Sequence, residues 1–348
     1  MSENIIWHNP NNEPFRIYGF AWLKELGKYR RLPVKTDALP IPEAVDELAN
    51  HTSGGQIRFA TDSKKIIIKA TLAGPADMCH MPATGQCGFD CYIYAGGKPR
   101  FAGCAKYEAR EVFYECEIFE QPEAVMREVI INFPLYIGVE KAEVGLLADA
   151  EIRPPSTIQH GKRCVVYGTS ITQGGCASRP GMSYTNILSR RLGIECINLG
   201  FSGSGRGEPV MAELVASIPD AGCFILDYEA NAGYEQLEQT MPHFLQTIRN
   251  KNPFVPIIVV SKTAYAHVNF SDEAFIWQNK CRELQRGFVC QRESAGDDNI
   301  YFMDGSKFFG EDFDECTVDG AHPTDLGFIR IADILAPEVA NLMGLRHH

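Results

Sequence analysis

The pattern of apolar and polar positions divides the chain into two unlike halves. In residues 1–155, short segments such as Gln56–Thr61 and Lys65–Leu72 alternate apolar and polar side chains, and turn residues separate them. Similar segments cover residues 89–94, 111–118, 128–133 and 141–146, and a single short helix is predicted near residues 42–49. Short strands at this spacing predict an all-β sandwich of the jelly-roll kind.

From Lys162 onwards, buried-type strands alternate with amphipathic, helix-length segments. This alternation predicts an α/β domain whose parallel sheet is covered by helices on both faces. The predicted strands are 164–167, 196–199, 223–227, 257–261 and 300–304, and the predicted helices are 183–192, 207–217, 234–250, 272–292 and 325–343. Two prolines in residues 152–157 mark a linker. We therefore expect a β-sandwich domain at 1–155 and an α/β/α domain at 156–346.

Charge and composition narrow the function. The chain of 348 residues has a net charge of −11 and no basic stripe, so neither a nucleic acid nor an anionic membrane is an expected partner. Its apolar runs are too short to span a bilayer. The first residues lack a basic segment followed by an apolar one, and the cysteines follow no framework spacing. These features favour a cytoplasmic protein with reduced thiols.

One group of possible metal ligands lies in the first half, at Cys79, His80, Cys87, Cys91 and Cys104. It lacks the paired spacing of zinc knuckles, and Cys91 lies within a predicted strand. We therefore expect no metal site there.

In a parallel sheet of this kind, ligands bind beyond the carboxyl ends of the strands. Ser170 follows the first of these strands, in a tight turn that leads into a helix. Such a turn exposes the hydroxyl and directs the backbone N–H into the crevice, which suits a nucleophile that also helps to hold an oxyanion. A serine that only caps the helix is the alternative. The G-x-S-x-G elbow of ordinary α/β-hydrolases is absent because position 172 is Thr.

The next two strands are followed by candidate oxyanion donors. Gly203 lies in a glycine-rich loop after the second strand and offers its backbone N–H, while Asn231 follows the third strand and offers a side-chain amide. A nucleotide-binding loop is the alternative for the glycines, but Glu208 breaks the G-x-G-x-x-G pattern. A turn-forming asparagine is the alternative for Asn231.

Asp319 and His322 follow the last strand, three residues apart in a turn before a helix. This spacing lets the carboxylate orient the imidazole, whose other nitrogen then takes the serine proton. A turn-forming aspartate beside a surface histidine is the alternative. Since Ser170, Gly203, Asn231 and this pair follow different strands of one sheet, we predict a Ser170–His322–Asp319 triad with Ser170, Gly203 and Asn231 as the oxyanion hole.

These residues resemble the SGNH (GDSL-like) hydrolase superfamily, whose namesake residues correspond to Ser170, Gly203, Asn231 and His322. Thr169 stands where the family usually has Asp, and residues 228–231 replace its commoner Gly-x-Asn-Asp. Residues 88–92, Gly-Phe-Asp-Cys-Tyr, are similar to the G-x-D-L-Y signature of the β-sandwich domain that precedes one subfamily. The resemblance implies an acyl-ester hydrolase without metal or cofactor, and O-acetylated carbohydrates as a substrate class.

The leading hypothesis is therefore a serine esterase acting on short acyl esters of a small molecule or oligosaccharide. A thioesterase or lysophospholipase with the same site, and a carbohydrate-binding protein without activity, are the alternatives. Arg179 and His267 lie in loops expected to determine specificity and are candidates for substrate contact, although exposed loop residues are the simpler interpretation. A homo-oligomer is possible, because a second subunit or the β domain could cover the crevice.

Overall fold

The computed structural model describes residues 4–156, 158 and 161–345. Residue 157 of the predicted linker and residue 346, the predicted end of the second domain, lie outside the described residues. Within them, no helix is both long enough and apolar enough to cross a membrane. All twelve cysteines are free thiols, and most of them are buried.

The first half contains two antiparallel sheets. Its strands β1–β10 are Ile5–His8, Arg16–Tyr18, Gln56–Thr61, Lys65–Leu72, Asp90–Ala95, Lys98–Cys104, Phe113–Glu120, Arg127–Asn132, Val139–Leu147 and Ile152–Arg153. One sheet has the order β1-β9-β4-β7, and the other has the order β10-β3-β8-β5-β6 with β2 paired to β3. Their apolar faces share one core, in which Phe59 and Ile131 of one sheet meet Ile68 and Val144 of the other. The predicted β-sandwich is confirmed.

Burial along the strands shows which faces are covered. In β4 every second residue is buried, as the alternating pattern predicts. All six residues of β3 are buried, because its second face lies against the other half of the chain. There the guanidinium of Arg58 donates a hydrogen bond of 2.9 Å to the Ser189 hydroxyl. Three short helices join these strands: α1 (Leu23–Leu26), α2 (Glu43–Leu48) and α3 (Ala83–Gln86). Only α2 was predicted, since four-residue helices leave no periodic signal.

The second half is a parallel five-stranded sheet with helices on both faces. Its strands β11–β15 are Arg163–Gly168, Glu195–Gly200, Ala221–Asp227, Ile257–Val260 and Ile300–Met303, and its helices α4–α9 are Ser170–Gln173, Tyr184–Leu192, Pro209–Ala216, Glu229–Lys251, Asp272–Ser294 and Asp325–Leu342. The strand order is β12-β11-β13-β14-β15. The order changes direction at β11, so the ligand crevice is expected at the carboxyl ends of β11 and β13. The predicted α/β/α fold is confirmed.

Helix α7 begins five residues before the predicted start at residue 234. Gly233 interrupts it with a φ of +65°, so the regular helix starts after this residue and a short helical turn precedes it. That turn carries Asn231. The left-handed backbone at Gly233 favours glycine, and it separates Asn231 from the long helix.

The segment that precedes β3 packs onto the second half of the chain. Leu32, Ile41 and Val45 belong to the same apolar cluster as strands β11–β14. Arg31 is almost completely buried, and its guanidinium lies 4.7 Å from the centre of the Phe201 ring and donates to the Gly200 carbonyl. Burial lowers the pKa of Arg31 to about 9. The two halves therefore share a packed boundary beside the loop that follows β12.

Candidate active site

Ser170 is the first residue of α4, and only Thr169 separates it from the end of β11. The hydroxyl that caps this helix belongs to Thr169, which accepts the Ile171 N–H, so the Ser170 side chain is not needed as a cap. Its Oγ lies 2.8 Å from Nε2 of His322, which is 152 residues further along the chain. Ser170 is only 8% exposed. The structure thus brings the predicted nucleophile and base into hydrogen-bond contact.

Asp319 holds His322 from the other side. Its Oδ2 is 2.7 Å from Nδ1 of the imidazole, while Oδ1 accepts the backbone N–H groups of Ala321 at 3.1 Å and of His322 at 2.8 Å. Burial opposes ionisation of Asp319, but its hydrogen bonds with the His322 backbone and ring outweigh this and lower its pKa. With an ionised carboxylate at Nδ1, the neutral imidazole carries its proton there and presents a lone pair on Nε2 to Ser170.

The predicted oxyanion donors lie around the same crevice. Gly203 is exposed, has a φ of +69°, and no described residue accepts its backbone N–H. Asn231 accepts the Gly205 N–H at 3.3 Å through Oδ1, so its Nδ2 amide is left without a partner among the described residues. Gln173 accepts the Ser202 N–H at 3.0 Å and so fixes the glycine loop to α4. Among the described residues, Gly203 and Asn231 thus have donors available, and the role of Ser170, Gly203 and Asn231 as an oxyanion hole stays a prediction.

The guanidinium of Arg179, a candidate for substrate contact, is held by side chains of both halves. Its guanidinium donates to the Asp90 carboxylate at 2.9 Å, to the Tyr92 hydroxyl and to Sδ of Met182, and it lies 3.8 Å from the centre of the Phe101 ring. These partners at the boundary of the two halves occupy the guanidinium, so its contacts support a structural role and not substrate binding.

The fully buried Asp90 explains what the motif at residues 88–92 does in this structure. Besides Arg179, its carboxylate accepts the Gly181 N–H at 2.8 Å and the side-chain amide of Asn132 at 2.7 Å. Arg179 and Gly181 belong to the loop that follows α4. The motif therefore anchors the loop next to Ser170 to the β-sandwich.

His267 lies in a short 3₁₀ helix, Ala266–Asn269, and its side chain is exposed. The neighbouring Ala266 N–H donates to the Gly320 carbonyl at 2.8 Å, which ties this segment to the loop of Asp319 and His322. The predicted contact between His267 and a substrate stays a prediction.

Several residues close to the triad could not be linked to it from the sequence. Tyr136 donates to the Ser170 carbonyl at 3.3 Å, and the His80 ring centre is 5.8 Å from that of His322. A Cβ at Gly175 would lie 2.8 Å from the Tyr136 hydroxyl and 3.2 Å from Cδ2 of His322, so glycine allows the loop to approach the imidazole. Tyr136 and His80 belong to the first half of the chain, and only the packing of the two halves brings them to the site.

Models of known protein families match both halves of the chain. The model of the GDSL-like lipase/acylhydrolase family matches residues 161–340, and that of the N-terminus of SGNH-hydrolase-type esterases matches residues 5–152. The chain belongs to the GDSL-like lipase/acylhydrolase family. The family resemblance seen in the sequence is thereby confirmed.

Several solved structures are similar to this family member over both halves of the chain. A protein described as a GDSL-like lipase from Bacteroides ovatus is 32% identical, with 99% of each chain covered and a TM-score of 0.89. A salicylyl-acyltransferase from a tetracycline biosynthetic pathway is 20% identical over 99% of each chain, with a TM-score of 0.80. A family two carbohydrate esterase from Cellvibrio japonicus is 12% identical, covering 98% of this chain and 99% of its own, with a TM-score of 0.61. The last two share the fold alone. No curated protein sequence matches significantly.

A partly buried carboxyl group lies behind the nucleophile of this GDSL-like protein. Asp227 ends β13, and its Oδ2 accepts the hydroxyls of Thr172 and Tyr184, both at 3.0 Å. Burial raises the pKa of Asp227 to about 7, although these hydrogen bonds oppose the shift. The native protein therefore keeps a proton on this group at a pH where an unfolded chain would have lost it.

This shift predicts how stability depends on pH. Between about pH 4 and pH 7 the native state binds more protons at Asp227 than the unfolded state, so this group's contribution to stability falls as pH rises. In Asp227→Asn the amide oxygen can replace Oδ2, and the ionisation is gone. We expect the free energy of unfolding of Asp227→Asn, minus that of wild type, to be larger at pH 8 than at pH 5 in urea titrations, so the variant gains relative stability as pH rises. Asp37→Asn, at an exposed aspartate, is the control and should show no such trend. If the free energy of unfolding of Asp227→Asn differed from that of wild type by the same amount at both pH values, the prediction would be contradicted.

Proposed function

We propose that the protein is a serine esterase that removes short acyl groups, chiefly acetyl, from carbohydrate hydroxyls. Family membership supports ester hydrolysis in general. The observation that carries the assignment of the reacting groups is the hydrogen-bonded chain from Ser170 Oγ through His322 to Asp319. Such a chain is the arrangement by which a serine hydroxyl becomes a nucleophile at neutral pH.

In the acylation step, Ser170 Oγ attacks the ester carbonyl carbon while its proton passes to Nε2 of His322. The ionised Asp319 stabilises the imidazolium that forms. Negative charge develops on the former carbonyl oxygen, where the N–H groups of Ser170 and Gly203 and the Nδ2 amide of Asn231 act as donors. When the tetrahedral intermediate collapses, the bond to the alcohol oxygen breaks, and Nε2 returns the proton to that oxygen.

Deacylation repeats these steps with water. Nε2 takes a proton from the water molecule as its oxygen attacks the acyl-enzyme carbonyl, and the same donors hold the oxyanion. Collapse of this second intermediate releases the carboxylic acid and returns the proton to Ser170 Oγ. Neither step needs a metal or a redox cofactor.

The surroundings of the triad support a small acyl group and a polar alcohol. His80, Gly203 and Asp319 are exposed around the crevice and Asn231 is partly exposed, and none of these four residues offers the apolar surface that a long acyl chain needs. Further out, the half-buried Tyr234 lies three residues after Asn231, with Nζ of Lys280 over its ring and its ring centre 6.1 Å from that of the exposed Trp277. An exposed tryptophan ring suits the apolar face of a sugar ring.

An ester panel tests this proposal. Purified protein is assayed with the 4-nitrophenyl esters of acetate, butyrate and palmitate, and with an O-acetylated oligosaccharide whose released acetate is measured. We expect kcat/KM to fall by roughly tenfold or more from acetyl to butyryl, no palmitate release, and acetate release from the sugar. Preference for the palmitoyl ester would favour the thioesterase or lysophospholipase alternative. Absence of both turnover and labelling by a fluorophosphonate would favour a binding protein.

A further inference from the structure

Four side chains able to bind a metal ion meet at the catalytic histidine. His80, Cys176, Asp319 and His322 each offer one ligand atom, and these atoms all lie within 4.8 Å of one another. His80 belongs to a turn before α3 in the first half, Cys176 follows α4, and the other two belong to the loop before α9. The cluster therefore exists only because the two halves pack together.

Cys176 is the unexplained member of this cluster. Its φ is +72°, a backbone conformation that residues other than glycine rarely adopt, although the two preceding residues are glycines. The thiol is buried, at 4% exposure, and the ester mechanism assigns it no step. A strained residue that carries a metal-binding atom towards an active site is a reason to look for a ligand.

We propose that His80, Cys176, Asp319 and His322 form an inhibitory zinc site. Two imidazoles, one thiolate and one carboxylate make a mixed N, S and O donor set of the kind that Zn²⁺ accepts in tetrahedral geometry. Zinc–ligand bonds of about 2.0–2.3 Å place neighbouring ligand atoms about 3.5 Å apart, so the cluster has to contract modestly. His80 is exposed in a turn and is the ligand with the most freedom to move.

Zinc binding at this place removes the general base. Both ring nitrogens of His322 are engaged, Nε2 with Ser170 and Nδ1 with Asp319. A zinc ion on either nitrogen displaces one of these partners, and the Cys176 thiol releases its proton to solvent as it becomes a ligand. The inhibition rests on the proposed esterase function, whereas metal binding itself does not.

Cobalt absorption tests the metal site without any assay of activity. Chelator-treated, full-length protein is titrated with Co²⁺, which reports thiolate ligation through a charge-transfer band in the near ultraviolet. We expect the band in the wild type and in Cys290→Ser, a control that removes an exposed thiol elsewhere. We expect no band in Cys176→Ser. A missing band in the wild type, or a band that persists in Cys176→Ser, would overturn the zinc site.

Inhibition by ZnCl₂ tests the consequence, with 4-nitrophenyl acetate as substrate and each variant compared with its own zinc-free rate. Loss of one ligand should raise the half-inhibitory zinc concentration at least about tenfold in Cys176→Ser and in His80→Asn. The exposed His243→Asn on α7 is the matched control and should behave as wild type. His80→Asn changes an exposed turn, so it provides a folded variant even if Cys176→Ser is unstable.

Equal inhibition of every variant, or no inhibition of the wild type, would refute an inhibitory site. A cobalt band in protein without esterase activity would leave the metal site standing and refute the proposed function instead.

Discussion

Replacing Ser170 by alanine is expected to lower kcat for acetyl esters by at least about 10⁴-fold, because no other group then carries the acyl intermediate. The fold should be unaffected. Thr169 supplies the cap of α4, and Ser170 contributes only a hydroxyl that faces Nε2 of His322. Activity that remains would come from the oxyanion donors acting on a water molecule.

The measurement is single-turnover and steady-state hydrolysis of 4-nitrophenyl acetate by Ser170→Ala, with thermal unfolding recorded on the same sample. Ser217→Ala is the matched control, since Ser217 is an exposed serine that ends α6 and bonds only to carbonyls of its own helix. We expect wild-type kinetics for the control and wild-type melting for both variants. Wild-type hydrolysis by Ser170→Ala would refute the nucleophile assignment.

Much of the site followed from the sequence because its parts lie at the ends of regular strands. The buried strands around Val165 and Ile225 have unmistakable apolar runs, and the carboxyl ends of parallel strands meet at one edge of the sheet. Ser170 and His322 could therefore be paired although 152 residues separate them. The family resemblance then identified the same residues independently of their spacing.

The remaining parts of the site depend on how the two halves pack, and packing leaves no periodic pattern. Tyr136 and His80 come from loops of the β-sandwich, and nothing in their local sequence points to a serine in the other half. The partners of Arg179 were missed for the same reason. A loop arginine close to the nucleophile suggests substrate contact. Its ion pair with the buried Asp90 joins the two halves, and the local sequence does not show it. Such contacts become predictable only when both surfaces are known.

The expected effect of Asp319→Asn follows from how the carboxylate is held. Oδ1 accepts two backbone N–H groups, from Ala321 and His322, so the oxygen of an asparagine amide is drawn to that position. The NH₂ group then faces Nδ1 of the imidazole and can only donate. This forces the proton of His322 onto Nε2, which donates to Ser170 instead of accepting its proton.

We therefore expect kcat to fall roughly 10³-fold in Asp319→Asn, and less in Asp319→Ala. Alanine leaves Nδ1 open to water, because the Asp319 side chain is 36% exposed, so the productive tautomer is still populated. The comparison separates orientation of the histidine from loss of negative charge, since both variants lack the charge and only asparagine fixes the wrong tautomer. Kinetics at pH 7 on the two variants, with ¹⁵N chemical shifts of the His322 ring as the tautomer readout, measure this order. An alanine variant as slow as the asparagine variant would show that the charge of Asp319, rather than its hydrogen-bond direction, governs the activity of His322.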